Sequence, residues 1–294
     1  MSGAAPDRVQ AQAHAKINLL LRILARESSG YHQIETVFQL LALADEIAVT
    51  RTAGGITLDV QGPDLGPVAD NLAVRAAQLV LDATGRKFGV AIALTKHIPV
   101  RAGLGGGSSD AAQVLHAVNA LADHAVPRHE LEHLGTRLGA DVAFFASGAA
   151  TALAWGRGER LFRLAAPPEA AVLVAVPAVG VATPDAYRWW DEMHHEPASR
   201  GPVVLDAAAL ATWGSIGRLG GNDFEVPVFS RHPTLREVFE QLAATGPLWV
   251  RLCGSGAAVA AVYRTARDRD DAAGTLNVKL AKPIATTTWT TAAA

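Results

Sequence analysis

The sequence predicts an α+β fold, and three observations carry that reading. Apolar and polar residues alternate over several short segments, as in half-buried strands. Other segments place apolar residues at helical spacing. The two kinds of segment mix without strict alternation, which argues against a doubly wound parallel sheet. Of 294 residues, 50% are hydrophobic and 18% charged, so a sizeable core is available.

The elements follow in chain order. Ala13, Ala15, Ile17, Leu19, Leu21 and Ile23 alternate with His14, Lys16, Asn18, Leu20 and Arg22. In a strand, that period puts Lys16 and Asn18 on one face. A loop through Ser28, Ser29 and Gly30 follows, and strands are expected over 36–43, 47–50 and 56–60. Asp70 is the expected N-cap of a helix running to 84, with Gly85 as its stop. Val90, Ile92 and Leu94 read as a strand. After it come Gly103, Gly105, Gly106 and Gly107, then Ser108 and Ser109, where a helix starts with Ala111, Val114, Leu115, Val118 and Leu121 inward. A further helix is expected over 127–138, closed by Gly139, and strands over 149–155 and 160–164 flank Gly156-Arg157-Gly158.

Pro167-Pro168 is the expected domain boundary, dividing the chain into 1–166 and 167–294. Beyond it, 172–176 reads as a buried strand. Thr183-Pro184 reads as a helix start, with threonine as cap and proline in the first turn. Residues 235–242 are helical, and 248–252 and 257–263 are strands about the turn Gly254-Ser255-Gly256. There is no internal repeat.

Composition excludes several function classes. The formal charge is −2 and no basic run exists, so nucleic acid is not an expected partner. Cys253 is the single cysteine, which excludes an internal disulfide framework and a cysteine-based zinc cluster. Residues 1–12 lack the apolar core of a signal peptide. The longest apolar run, 170–182, is too short to span a bilayer and contains Pro177. A soluble cytoplasmic chain without a membrane partner is expected.

The glycine–serine segment carries the chemistry. Glycines let backbone approach a ligand closely and turn its N–H groups inward. A helix starting at the serines adds a positive dipole end at the same point. The pattern is a phosphate cradle and points to a nucleotide. It is not a P-loop, because no Gly-Lys pair occurs in the chain. Nor is it the dinucleotide fingerprint, whose third glycine position is Ser108 here.

Phosphoryl transfer also needs charge neutralisation and a carboxylate near the acceptor hydroxyl. Lys16 is a candidate for the first and Asp141 for the second. Taken singly, each also fits an ordinary role, a solvated strand lysine and a capping aspartate. Tyr31 could stack on a nucleobase and His32 hydrogen-bond its edge. Trp189 and Trp190 read as packing, His194 and His195 as surface. No histidine spacing supports a metal site built from protein groups alone.

Taken together, these pieces resemble the GHMP kinase superfamily. The matching segments are Ala15 to Leu19, Gly30 to His32, Ile98 to Ala112, Gly139 to Phe145, Asn222-Asp223 and Gly254 to Gly256, in family order over nearly the whole chain. The opening Ala-Lys-Ile-Asn-Leu with Gly-Tyr-His close behind is similar to the members that take a cytidine diphosphate-linked methylerythritol in the non-mevalonate isoprenoid pathway. The resemblance implies two α+β domains with the active site in the cleft between them. ATP and Mg2+ are the implied cofactors. Pro99, Ala102, Gly103, Leu104, Gly105, Gly106, Gly107, Ser108 and Ser109 would wrap the ATP phosphates, with Ser108 or Ser109 at the magnesium. Asp141 would be the base, Lys16 its partner, and Asn18 would help hold the acceptor. Tyr31 and His32 would recognise cytosine, and Tyr187, shortly after Thr183-Pro184, would complete an aromatic sandwich.

Two positions depart from the family pattern. Ala143 stands where proline is frequent, which would loosen the segment carrying Asp141, and Cys253 stands where a small hydroxyl residue is frequent. The region 192–220 matches nothing assigned. Two alternatives stay open at this level: a homoserine or mevalonate kinase of the same superfamily, and a catalytically silent nucleotide or sugar sensor. The sequence does not give the oligomeric state.

Overall fold

The computed structural model describes residues 6–193, 206 and 208–290. The chain opens with a long antiparallel hairpin, β1 (Arg8–Arg26) and β2 (His32–Thr52). Two strands were expected where β2 runs unbroken. Ala44 and Asp45 stay paired with His14 and Ala13, and a register shift between His14 and Lys16 absorbs the break in periodicity. β3 (Ile56–Gln61), α1 (Leu72–Ala83), β4 (Gly89–Thr95), α2 (Gly106–Leu121), α3 (Arg128–Thr136), α4 (Ala140–Ser147), β5 (Thr151–Gly156) and β6 (Arg160–Leu164) follow. The first sheet has the order β3-β4-β2-β5-β6, with β1 also paired to β2.

The second half supplies β7 (Ala171–Pro177), α5 (Thr183–Met193), α6 (Trp213–Ile216), α7 (Glu225–Arg231), α8 (Pro233–Ala244), β8 (Trp249–Leu252), β9 (Val259–Tyr263), α9 (Ala266–Thr275) and β10 (Ala281–Thr287). Its strands form an antiparallel sheet of order β10-β7-β9-β8. Among the described residues no helix is long and apolar enough to cross a membrane.

Apolar burial explains how the halves meet. Phe38, Val49 and Ile92 of the first sheet pack with Ala76, Val80, Val114, Leu115, Val118 and Phe144 of α1, α2 and α4. Ala15, Ile17 and Leu19 of β1 instead join Val172 and Val174 of β7 and Ala260 and Val262 of β9. β1 is therefore buried on both faces and borders both halves. Polar staples fix it there. Leu21 N donates to Gly221 O (3.2 Å), Asp223 N to Leu21 O (3.0 Å) and Ile23 N to Asp223 Oδ2 (2.6 Å).

Three local expectations need correction. Asn71, not Asp70, caps α1: its Oδ1 accepts from Ala73 N at 2.9 Å, while Asp70 lies in the preceding 3-10 turn. α2 begins at Gly106, two residues before the serines, because Gly105 takes the left-handed N-cap geometry (φ 74°). Thr183 opens α5, but its hydroxyl bonds Ser255 Oγ (2.9 Å). Trp190 is buried, as expected of a packing residue. His194 and His195 lie outside the described residues.

One buried ion cluster shapes the glycine segment. β2 pairs with β5 over residues 34–39 and with β4 from Glu46 onward, and Asp45 falls between those partners. Its Oδ1 accepts from His97 N (2.6 Å) and Ile98 N (2.8 Å), and its Oδ2 accepts from Lys96 Nζ. The same ammonium donates to Asp110 Oδ2 (2.7 Å) in α2. All three side chains are nearly inaccessible, at 0–4%. One ammonium thus ties the entry of the glycine segment to the helix that leaves it. Burial pushes the Asp110 carboxyl up to about 7, against the pull of Lys96.

Two unfolding measurements check these assignments. Asn71→Ala is expected to lower urea-unfolding stability by about 1 kcal/mol and Asp70→Ala by much less; equal losses contradict the cap. Lys96→Met leaves two buried carboxylates without a counter-charge and is expected to cost about 3–5 kcal/mol. An unchanged urea midpoint would remove the cluster's structural role.

Candidate active site

β1 presents Lys16 and Asn18 on one face, as period two requires. Lys16 N donates to Leu104 O (2.9 Å), so the strand backbone holds the glycine segment directly. Lys16 Nζ donates to Asn18 Oδ1 (2.8 Å) and lies 3.4 Å from Asp141 Oδ2. Asn18 Nδ2 donates to Thr36 Oγ1 (2.8 Å), which in turn donates to Leu20 O (2.6 Å). This chain fixes the amide so that its oxygen faces the ammonium. The Lys16 side chain is 5% exposed and that of Asp141 35%. The ammonium therefore sits behind the carboxylate, and the carboxylate faces the cleft.

Asp141 does not sit in a loop. It occupies the first turn of α4, where a carboxylate meets the positive end of the helix dipole. The sequence reading missed this helix because its 8 residues are nearly all apolar and show no periodicity. Ala143 lies buried inside α4, the helix that carries Asp141.

Two of the glycines, Gly103 and Gly105, are required by contact. A Cβ on Gly103 (φ 78°) would lie 1.8 Å from Cys253 O. One on Gly105 would lie 2.9 Å from the Phe145 ring and 3.1 Å from Lys16 Cγ. Ala102 and Leu104 are buried and act through their carbonyls, which accept from Ala258 N (3.1 Å) and Lys16 N. Ser109 N makes the first helical bond of α2, to Gly105 O (2.9 Å). The preceding amides, Gly106, Gly107 and Ser108, are the donors a helix start leaves open. Pro99 is half-buried at the entry of the segment. Ser108 lines the cleft, whereas Ser109 is fully buried and its hydroxyl has no hydrogen-bond partner among the described residues.

Asn222 and Asp223 turn out to be staples. Asn222 Nδ2 donates to Leu252 O (2.9 Å) and Gly254 O (2.6 Å), fixing the glycine turn whose Gly254 approaches Lys16 Nζ. Cys253 is fully buried, and burial pushes its thiol up to about 12.

A cleft of about 1580 Å³ joins this centre to an aromatic end. Lys16, Asn18, Asp141, Gly103, Gly105 and Ser108 line one part, and Tyr31, His32, Thr183 and Tyr187 another. Tyr187 stacks on the His32 ring (centroids 4.5 Å, 14° between planes) and meets Phe224 edge-on at 4.9 Å. Burial, with the Asp141 charge adding to it, pushes the Tyr187 hydroxyl up to about 12. Tyr31 stands at the rim, 59% exposed, under the Arg157 guanidinium at 4.1 Å. The two tyrosines thus share the cleft, each with a partner of its own.

Sequence reasoning missed Thr36, Asp45, Lys96, Asp110, Arg157 and Asp191. Lys96 and Asp110 bracket the glycines 14 residues apart, a charge pair that could have been noticed. Asp45 lies 51 residues from Lys96 and has no local signal.

Comparison with known proteins agrees with this layout. The family models for the GHMP kinases N-terminal domain and the GHMP kinases C-terminal domain match residues 71–149 and 205–280. A 4-diphosphocytidyl-2-C-methyl-D-erythritol kinase of Solibacter usitatus is 39% identical, over 86% of this chain and 80% of the relative. Its counterpart in Chlorobium phaeobacteroides is 37% identical, over 91% and 93%. A crystal structure of 4-(cytidine 5'-diphospho)-2C-methyl-D-erythritol kinase superposes with a TM-score of 0.81 at 39% identity, covering 95% of this chain and 99% of that one. Homoserine kinase from Cytophaga hutchinsonii shares the fold at 17% identity, with a TM-score of 0.73 and coverage of 99% and 97%. On the Lys16–Asp141 centre, the glycine segment and these relatives together, the chain belongs to the 4-diphosphocytidyl-2-C-methyl-D-erythritol kinase family of the GHMP kinases.

Proposed function

We propose that this chain transfers the γ-phosphoryl group of ATP to the 2-hydroxyl of 4-diphosphocytidyl-2-C-methyl-D-erythritol, a step of the methylerythritol phosphate route to isoprenoids. The observation that carries this reading is the Lys16–Asp141 contact beside the glycine segment, in one cleft with Tyr31, His32 and Tyr187. The halves 1–166 and 167–294 form the two proposed domains, and the cytoplasm is the proposed location. The small-molecule acceptor is the proposed partner.

The chemistry follows from the geometry. Asp141 accepts the proton of the acceptor hydroxyl, and Lys16 offsets the charge that develops as the phosphoryl group moves. Asn18, locked between Lys16 and Thr36, holds the acceptor side of the site in shape. The free amides at the start of α2 bind phosphate oxygens, and Gly103 and Gly105 let the segment close onto Cys253 and Phe145. Transfer is in line, without a covalent enzyme intermediate. Magnesium, when bound with ATP, neutralises phosphate charge. The residues fit it through Ser108, whose position on the cleft supports it over the buried Ser109. Thr183, bonded to Ser255 at the cleft wall, is proposed to contact the acceptor.

Three measurements test the reading. Asp141→Asn is expected to lower kcat by about 10²–10⁴-fold with the melting temperature retained; wild-type turnover would overturn the mechanism. Tyr31→Ala removes an exposed ring and is expected to raise KM for the cytidyl acceptor, base stacking being worth about 1–3 kcal/mol, with KM for ATP unchanged. In a coupled assay offering the cytidyl acceptor, mevalonate, homoserine and galactose, the cytidyl compound should dominate kcat/KM. Preference for mevalonate or homoserine would transfer the assignment to those kinases.

A further inference from the structure

His32 opens β2 with its ring held on three sides. One face lies on Tyr187, and Trp190 meets it edge-on (5.8 Å, 85°). Asp191 Oδ1 lies 2.7 Å from His32 Nε2, and Asp191 Oδ2 lies 3.5 Å from Arg26 NH1. Tyr187 and Asp191 are four residues apart on α5, so one helix face supplies both the stacking partner and the carboxylate. The His32 side chain is 5% exposed, yet it lines the cleft.

The hydrogen-bond roles follow from this placement. An ionised carboxylate only accepts, so Nε2 carries the proton in the His32–Asp191 bond. A neutral ring protonated at Nε2 has an accepting Nδ1. Among the described residues no protein group bonds Nδ1. Cytosine offers an exocyclic amino donor beside its N3 acceptor. Uracil offers a carbonyl acceptor and an N3–H donor at the same two places. An accepting nitrogen pairs with the amino group of cytosine and sets lone pair against lone pair with the carbonyl of uracil.

We propose that Asp191, braced by Arg26, is a positioning residue that fixes His32 as an Nδ1 acceptor and so makes the site select cytidine over uridine diphosphate acceptors. The inference rests on the cytidyl reading above and adds to it the group that sets the preference.

CDP and UDP are suitable probes, since they carry the two bases without the acceptor alcohol. Isothermal titration of the full chain is expected to show tighter binding of CDP than of UDP. Asp191→Leu removes the acceptor for Nε2–H, and Asp191→Asn offers a donor as well as an acceptor at nearly the same shape. Each is expected to shrink the CDP/UDP affinity ratio about tenfold. Phosphate contacts are common to both probes and cancel in the ratio. With ¹⁵N-labelled histidine, His32 should carry its proton on Nε2 in the wild type and lose that preference in both variants. A ratio and tautomer unchanged in Asp191→Asn, with its fold intact, overturn the role of Asp191 while the cytidyl reading stands. A doubly protonated His32 ring in the wild type overturns it as well. A wild-type protein that binds UDP as tightly as CDP overturns both.

Discussion

The site depends on a single buried ammonium. Lys16 lies almost out of water, and such a charge is tolerated only where its hydrogen-bonding capacity is met. Asn18 meets part of it and Asp141 another part, with the Phe38 ring 5.3 Å away. The same residue's amide holds Leu104 of the glycine segment. Strand, base and phosphate cradle therefore share one residue, and displacing any of them leaves a charge without its partners.

β1 can play this part because it is buried on both faces. Apolar side chains at Ala15, Ile17 and Leu19 draw the second half of the chain onto it. Asn222 then locks the glycine turn of that half beside Lys16, and Asp223 ties the same segment to β1. The segment 97–107 is held by a second buried charge cluster, in which Lys96 links Asp45 to Asp110. Two buried ammonium groups, Lys16 and Lys96, thus shape the same stretch of backbone. Contacts of this kind give the preorganisation that phosphoryl transfer demands.

Much of this was legible in the sequence, for physical reasons that differ by residue. Period two alone places Lys16 and Asn18 on one face, and glycine density alone marks the cradle. The family resemblance, rather than spacing, brought Asp141 to Lys16. α4 left no periodic signal because it is short and nearly all apolar. The continuity of β2 was hidden because pairing with β1, not local propensity, carries it through Ala44 and Asp45. Asp191 reaches His32 across 159 residues, a contact that only the docking of α5 creates. Local chemistry is written in local sequence; the partners that tune it come from packing.

The central claim is that Lys16 and Asp141 act as one unit, and a double-mutant cycle tests it most directly. Lys16→Met, Asp141→Asn and the double variant would be compared by kcat with the cytidyl acceptor under saturating ATP. Groups acting together lose their effect together, so the double variant should be no slower than the slower single one. Losses that multiply instead would mean that the two residues act independently, and the account would fail.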